Sequence, residues 1–227
     1  MTHSHDRRPA ARSAGEHAAE YVRDGMRVGL GSGTTIYWTL LRLAARVGAG
    51  LRMQGIPTSL RTERLALELG IPLAGFAECP RLDLYLDGAK EIDADKAMIK
   101  GGGGSFFREK LVAEGSDRRI IVVDGSKRVE RLGAVPVPVE IAPFGWEWTL
   151  EKLRELGCEP TLRSGEDRPV VTDNGNYVAD CAFGSIVDPA GLHGRLKRLT
   201  GIVETGLFVG LADEVVVGDD RGIEIWR

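Results

Sequence analysis

Apolar positions along the 227-residue chain change style about halfway. Up to about residue 130, short apolar runs alternate with stretches whose apolar residues recur every three or four positions. That is the pattern of a mostly parallel sheet with helices between its strands. It predicts helices over 13–22, 34–47, 59–69 and 105–114, and strands over 27–29, 51–56, 82–86 and 120–123. Within 34–47, Ile36, Leu40, Leu43 and Val47 share one face. Ser59 and Gly70 supply start and stop signals for the third helix, and Pro57 halts the strand before it. Ile120 to Val123 is continuously apolar, as expected of a strand covered on both faces.

Beyond residue 131 the segment 135–141 alternates and carries two prolines, 146–156 is helical in pattern and 158–162 extended. Asp173-Asn174-Gly175 is a hairpin-turn signal ahead of a strand over 176–181, and 189–199 reads as a helix. Strands over 214–217 and 223–226 are placed to rejoin the first sheet. The expected fold class is therefore α/β: a larger domain built from 1–131 and 205–227, with a smaller α+β domain, 132–204, inserted. The opening 1–13 is polar, carries three arginines and lacks an apolar run behind them, so it reads as a frayed arm and not a secretory signal.

Composition narrows the partners. A net charge of −3 and a pI of about 5.9 leave no basic field for nucleic acid or an anionic membrane. Hydrophobic residues make up 43% and charged residues 28%, ordinary for a soluble globular protein, and no apolar run approaches the ~20 residues of a membrane span. Cys79, Cys158 and Cys181 are far apart and odd in number, which suits a reducing cytoplasm better than a disulfide framework. His3 and His5 lie in the arm, and His17 and His193 stand alone, so a zinc site is not expected and no cofactor is implied.

Three clusters fall at strand ends, where open parallel sheets place their ligands. Gly29-Leu30-Gly31-Ser32-Gly33-Thr34-Thr35 follows the first strand and opens a helix, an arrangement of amides and hydroxyls suited to an anion. It is neither G-x-G-x-x-G nor a P-loop, and Ile56-Pro57-Thr58 puts no carboxylate at the end of the next strand to hold a ribose. A dinucleotide is thus disfavoured against a small phosphate ester, with a plain tight turn as the bland alternative. The second cluster, Asp87-Gly88-Ala89-Lys90-Glu91, would by itself read as a solvated loop. In the third, Lys100 and four glycines, 101–104, lead into a helix that carries Glu109 one turn in. A carboxylate base beside an ammonium and a set of backbone amides is what proton abstraction next to a carbonyl requires.

In this order, Asp87-Gly88-Ala89-x-Glu91, Lys100 with Gly101 to Gly104, and Arg108-Glu109-Lys110 resemble the type A ribose-5-phosphate isomerases. The likeness extends through Pro57-Thr58-Ser59, Asp124-Gly125-Ser126-Lys127, Pro138-Val139-Glu140, Thr172 to Asn176 and Gly201-Ile202-Val203-Glu204, nearly the whole chain after the arm. The resemblance implies a Rossmann-like domain with a small α+β insertion, and the metal-free isomerisation of ribose 5-phosphate to ribulose 5-phosphate by a cytoplasmic homodimer or homotetramer. It implies Glu109 as the base between C1 and C2, Lys100 as the cation at the enediolate oxygen and Asp87 as the group that helps open the ring. The phosphate would rest on Gly31, Ser32, Gly33, Thr34 and Thr35 with Lys127, and Gly101, Gly102 and Gly103 would line the substrate.

Lys90 departs from the family pattern, which has an aspartate there. The exchange alters local charge by two units, and at ~4 Å with an effective dielectric near 20 each such pair is worth about 4 kcal/mol. Lys90 could pair with Asp87 and repel Lys100. Three consequences stay open from sequence: preserved activity with Lys90 turned away, a new anion or acid partner with a different phosphorylated sugar, or a weakened enzyme reduced to sugar-phosphate binding.

Overall fold

A computed structural model describes residues 9–165 and 168–227; the first eight residues, with His3 and His5, lie outside the described residues. In chain order the first elements are α1 (Pro9–Ala19), β1 (Arg27–Leu30), α2 (Thr34–Gly48), β2 (Gln54–Pro57), α3 (Leu60–Glu68), β3 (Leu84–Asp87), β4 (Glu91–Ile92), β5 (Met98–Ile99), α4 (Phe106–Glu114) and β6 (Arg119–Asp124). There follow β7 (Val137–Ile141), α5 (Trp146–Glu155), β8 (Glu159–Leu162), β9 (Ser164–Gly165), β10 (Arg168–Pro169), β11 (Tyr177–Ala182), α6 (Pro189–Lys197), β12 (Ile202–Thr205), β13 (Leu207–Phe208), β14 (Glu214–Asp219) and β15 (Gly222–Trp226).

The chain groups into two compact units. One takes the described chain up to Gly88 with Arg108–Lys127 and Leu211–Arg227; the other takes Ala89–Phe107 and Arg128–Gly210. The segment Ala89–Phe107, expected with the larger domain, thus groups with the smaller. The reason is β-pairing: β5 lies between β4 and β13 in a three-stranded antiparallel sheet, with Ile99 opposite both Glu91 and Leu207.

In the first unit a six-stranded sheet runs in the order β15-β14-β6-β3-β1-β2. Only the edge strand β15 is antiparallel, pairing with β14. Strand β2 lies on one side of β1, and the chain then returns through α3 to place β3 on the other side. The order therefore reverses at β1, and the carboxyl ends of β1 and β3 flank the switch point where such sheets bind ligands. Val28, Leu30, Leu84, Leu86, Ile120, Val122 and Val216 from the strands pack with Ile36, Leu40 and Leu43 of α2 and with Ala14 and Ala18 of α1. Strands buried on both faces explain the continuous apolar runs.

Most boundaries shift from expectation by no more than a residue or two; those of α1 and β2 shift further. Helix α1 starts at Pro9 and ends at Ala19, so residues 9–13 of the expected arm are helical; proline's fixed φ is tolerated in a first turn. Strand β2 includes Pro57 instead of stopping before it, and residues 51–53 are not strand. As an edge strand, β2 has a side on which a missing N–H costs nothing.

The second unit holds a four-stranded antiparallel sheet, β12-β7-β11-β8. Val137, Val139 and Ile141 of β7 pack with Leu150 and Leu153 of α5 and Leu192 and Leu196 of α6. The alternate position on β7 is the buried Glu140, whose Oε1 accepts hydrogen bonds from Thr172 Oγ1 (2.9 Å), Asn176 Nδ2 (2.9 Å) and Asn174 Nδ2 (3.2 Å), fixing the 172–176 turn. All three thiols are free and buried. Among the described residues no helix is long and apolar enough to cross a membrane.

Leu86, fully buried in β3, is a measure of this core. Leu86→Ala is expected to cost about 3 kcal/mol in denaturant unfolding, while Leu67→Ala, 61% exposed on α3, is expected to change stability by less than about 0.5 kcal/mol.

Candidate functional site

In the first unit the site grows from two neighbouring parallel strands. At the end of β1 the Gly31 N–H donates to the Leu86 carbonyl (2.9 Å), and the Ser32 N–H donates to Asp87 Oδ1 (3.0 Å). The backbone can come this close only because residue 31 lacks a side chain: a Cβ there would lie 2.1 Å from Asp87 Cγ. Asp87 is fully buried, and its carboxylate also accepts the Gly88 N–H (2.7 Å) and the Tyr85 hydroxyl. Burial raises the Tyr85 phenol well above its ordinary value, and the charges of Asp87 and Glu109 add to the effect. Glu109, 5% exposed on α4, is therefore electrostatically coupled to the same buried hydroxyl as Asp87.

The glycine loop also opens α2. Gly33 has φ +116°, a left-handed value that suits glycine, and no side chain caps the helix, leaving its first-turn amides as donors. Thr34 is exposed and Thr35 half-buried beside them. The Ser32 hydroxyl, by contrast, is turned into a cluster with Ser59 Oγ (2.8 Å), Thr62 Oγ1 (2.9 Å) and Thr58 Oγ1 (3.3 Å). Thr62 and Thr58 donate in turn to the carbonyls of Gly31 (2.9 Å) and Leu30 (3.0 Å). This hydroxyl cluster fixes the loop from below, and the Gly31 and Ser32 amides are spent on Leu86 and Asp87, so the candidate anion donors are the amides from Gly33 onward and the two threonines. Lys127 is half-buried in a 3-10 turn at the carboxyl end of β6, where Asp124 Oδ1 accepts the Ser126 N–H (3.0 Å).

In the second unit Lys100 follows β5. It is 3% exposed, its N–H donates to the Gly206 carbonyl (2.8 Å), and its ammonium lies 5.3 Å from the centroid of the Phe208 ring. A desolvated cation over an aromatic face gains up to about 2 kcal/mol, which helps a buried ammonium persist. Gly101 to Gly104 close a turn through the Gly104 N–H and the Gly101 carbonyl (3.1 Å), with φ of +98° and +82° at its ends. Arg163 Nη1 donates to the carbonyls of Gly101 (3.0 Å) and Gly102 (3.3 Å), while its Nε and Nη2 hold Asp180 at 2.8 and 2.5 Å. Lys90 is exposed and its side chain lies along this turn: a Cβ on Gly102 would fall 2.1 Å from Lys90 Cε and 2.9 Å from Nζ. Buried Glu91 accepts the N–H groups of Gly133 and Val135, both at 2.7 Å, and so ties the β4–β5 hairpin to its own unit.

Of the residues singled out from sequence, Gly31, Ser32, Gly33, Thr34, Thr35, Asp87, Glu109 and Lys127 thus belong to the first unit. Lys90, Lys100, Gly101, Gly102 and Gly103 belong to the second. Sequence reasoning passed over Tyr85, although it lies two residues before Asp87 and so on the same face of β3. It gave the hydroxyls of Thr58, Ser59 and Thr62 no place at the loop, and missed Arg163 with Asp180. Among the described residues no group of three or more His, Cys, Asp or Glu side chains is arranged to hold a metal ion.

An α/β sheet with a glycine loop that opens a helix beside a buried carboxylate at its switch point is an arrangement suited to phosphate esters. Residues 54–222 match the family model for ribose 5-phosphate isomerase A (phosphoriboisomerase A). The chain is 49% identical over 212 residues to the ribose-5-phosphate isomerase A of Bacillus mycoides, covering 93% of this chain and 96% of that one. It is 50% identical over 215 residues to that of Gloeobacter violaceus, covering 94% of each. Its fold superimposes on a ribose 5-phosphate isomerase A of Methanocaldococcus jannaschii with a TM-score of 0.92 at 35% identity, over 96% of this chain and 98% of that one. A D-ribose-5-phosphate isomerase solved in complex with phospho-erythronic acid matches with a TM-score of 0.92 at 32% identity, over 96% and 97% of the two chains. The chain belongs to the ribose 5-phosphate isomerase A family.

Because the Tyr85 phenol is raised above its ordinary 10.0, its contribution to stability is complete below that pH and is lost as the pH climbs through the folded value. The stability of the parent is expected to fall more steeply above pH ~10 than that of Tyr85→Phe, by up to about 1.4 kcal/mol per pH unit. Denaturant melts of both at neutral and strongly alkaline pH check this; parallel curves would remove the assignment.

Proposed function

We propose that this chain interconverts ribose 5-phosphate and ribulose 5-phosphate through an enediolate, with Glu109 as the base. The observation that carries the reading is the buried Asp87 carboxylate packed against the glycine loop that opens an uncapped helix at the switch point of the sheet, with a second buried carboxylate, Glu109, in the same unit. Family membership supplies the substrate.

The Gly33 amide and the amides and hydroxyls of Thr34 and Thr35 hold the phosphate, Lys127 adding charge, while the Gly31 and Ser32 amides, engaged by the Leu86 carbonyl and Asp87, shape the loop beneath it. Asp87 passes a proton between the ring oxygen and the C1 hydroxyl, which opens the sugar to its aldehyde. Glu109 then removes the C2 proton and returns it to C1, while the O2 hydroxyl proton passes to O1 as the carbonyl moves to C2, so no atom is gained or lost overall. Negative charge that develops on the carbonyl oxygen is met by the Lys100 ammonium and by the amides of the Gly101, Gly102 and Gly103 turn. Burial of Lys100 and Glu109, at 3% and 5% exposure, strengthens these interactions relative to water. Phospho-erythronic acid, bound by a related isomerase, is one carbon shorter than ribose 5-phosphate and carries a carboxylate where the enediolate would form.

A second reading, isomerisation of a different phosphorylated sugar, draws on Lys90. Its ammonium along Gly102 adds a positive charge at the turn and would suit a further anionic group on the substrate. The chain acts in the cytoplasm as a homodimer or homotetramer on this proposal; Phe144 and Trp148, 96% and 79% exposed, offer apolar surface that self-association would cover.

Turnover of ribose 5-phosphate by the parent is expected within about 1–10³ s⁻¹, the usual enzyme range. Glu109→Gln is expected to lower kcat by ~10²–10⁴ with its fold retained. A Glu109→Gln variant as active as the parent would remove the base. Turnover of several aldose phosphates by the parent and by Lys90→Asp decides between the readings. Preference of both proteins for ribose 5-phosphate supports the first, and a parent active only on another sugar supports the second.

A further inference from the structure

The glycine turn that is to meet the developing oxyanion has a mechanical weakness. Four successive glycines sample more backbone conformations than any other tetrapeptide, so their amides are poor preorganised donors unless something fixes the peptide planes. The turn's own bond, from the Gly104 N–H to the Gly101 carbonyl, holds the peptides at its two ends and leaves the central one, between Gly102 and Gly103, free to rotate. One side chain addresses this central peptide and reinforces the first. Arg163 Nη1 donates to the Gly101 carbonyl at 3.0 Å and the Gly102 carbonyl at 3.3 Å.

In a planar trans peptide the carbonyl of one residue and the N–H of the next point in opposite directions. Holding the Gly101 and Gly102 carbonyls toward the guanidinium therefore aims the Gly102 and Gly103 N–H groups away from it. A cation bonded to those carbonyls also polarises the peptides and strengthens their N–H groups as donors. The guanidinium cannot drift, because Asp180 grips it through Nε at 2.8 Å and Nη2 at 2.5 Å, leaving Nη1 for the turn. This division of donors needs the planar arginine fork; a lysine ammonium would supply charge without it. Both partners are largely covered, at 19% and 28% side-chain exposure, so the pair is more than a mobile surface contact.

We propose that Arg163, held by Asp180, is a positioning residue for catalysis: it locks the Gly102 and Gly103 amides in the orientation that receives the enediolate oxygen. The inference rests on the function proposed above and extends it to two residues that lie about sixty and eighty positions beyond the turn. Ground-state binding through the phosphate does not use these amides. Loss of the lock therefore falls on kcat and on affinity for an enediolate mimic, and spares KM.

The test compares the parent with Arg163→Lys and Asp180→Asn, measuring ribose 5-phosphate kinetics, phospho-erythronate inhibition and thermal unfolding. Removal of a whole oxyanion donor costs ~10²–10³ in kcat, and loosening two of them is expected to cost Arg163→Lys ~10–10². KM is expected to stay within about twofold, phospho-erythronate inhibition to weaken by a similar factor to kcat, and the melting temperature to hold. Asp180→Asn is expected to follow in the same direction with a smaller loss. Folded variants that keep the parent's kcat and inhibition overturn the proposal. So does a pair of variants that both unfold, which would make Arg163 and Asp180 a structural brace. A parent without ribose 5-phosphate turnover defeats the underlying function instead, and is seen in the first measurement before any variant is made.

Discussion

The contact on which the first unit depends is the approach of the Gly31 backbone to the Asp87 carboxylate across two adjacent parallel strands. Sheet geometry sets strands about 4.8 Å apart, so a carboxylate at the end of β3 meets the chain leaving β1 with no room for a side chain between them. Burying a carboxylate is expensive unless donors meet it, and Asp87 has the Ser32 and Gly88 amides and the Tyr85 hydroxyl. The same contact points the loop's remaining amides outward at the start of α2, and the hydroxyls of Thr58, Ser59 and Thr62 brace it from α3. The outward set of the loop amides and the placement of the carboxylate are thus two results of one packing constraint.

The second unit solves a complementary problem, that of keeping positive charge buried and flexible backbone still. Lys100 is seated by an antiparallel hydrogen bond to Gly206 and by the Phe208 ring. The glycine turn next to it is ordered from outside by Arg163 and flanked by the Lys90 side chain. Lys90 adds a third cation to a turn that Lys100 precedes and Arg163 holds, and so makes the local field more positive.

Much of the arrangement was legible from sequence, for reasons that are local. Continuous apolar runs revealed strands covered on both faces, and those strands delivered the 29–35 loop and Asp87 to the sheet edge. The four glycines after Lys100 marked a backbone-lined turn. What escaped was short or distant. Strands β4, β5, β9, β10 and β13 are two residues long, too short to show alternation, so the pull of Ala89–Phe107 toward the smaller unit left no periodic trace. Arg163 and Asp180 flank the turn through tertiary packing alone, and nothing beside them in the chain points to Gly101. The Tyr85 phenol was readable from its spacing to Asp87, but a tyrosine in an apolar strand reads as core until its hydroxyl partner is seen.

The division of the chain bears on how the molecule is made. Strand β14 pairs in parallel with β6, yet all of the segment from Arg128 to Gly210 is translated between them. As the chain leaves the ribosome, β6 therefore waits with one edge open until β14 and β15 emerge, while the antiparallel sheet of the second unit already has all four of its strands. Nascent chains of this protein carry an unfinished sheet edge for as long as Arg128 to Gly210 is being made, and it is in that interval, more than in the finished molecule, that the apolar strand Ile120 to Val123 is exposed to mispairing.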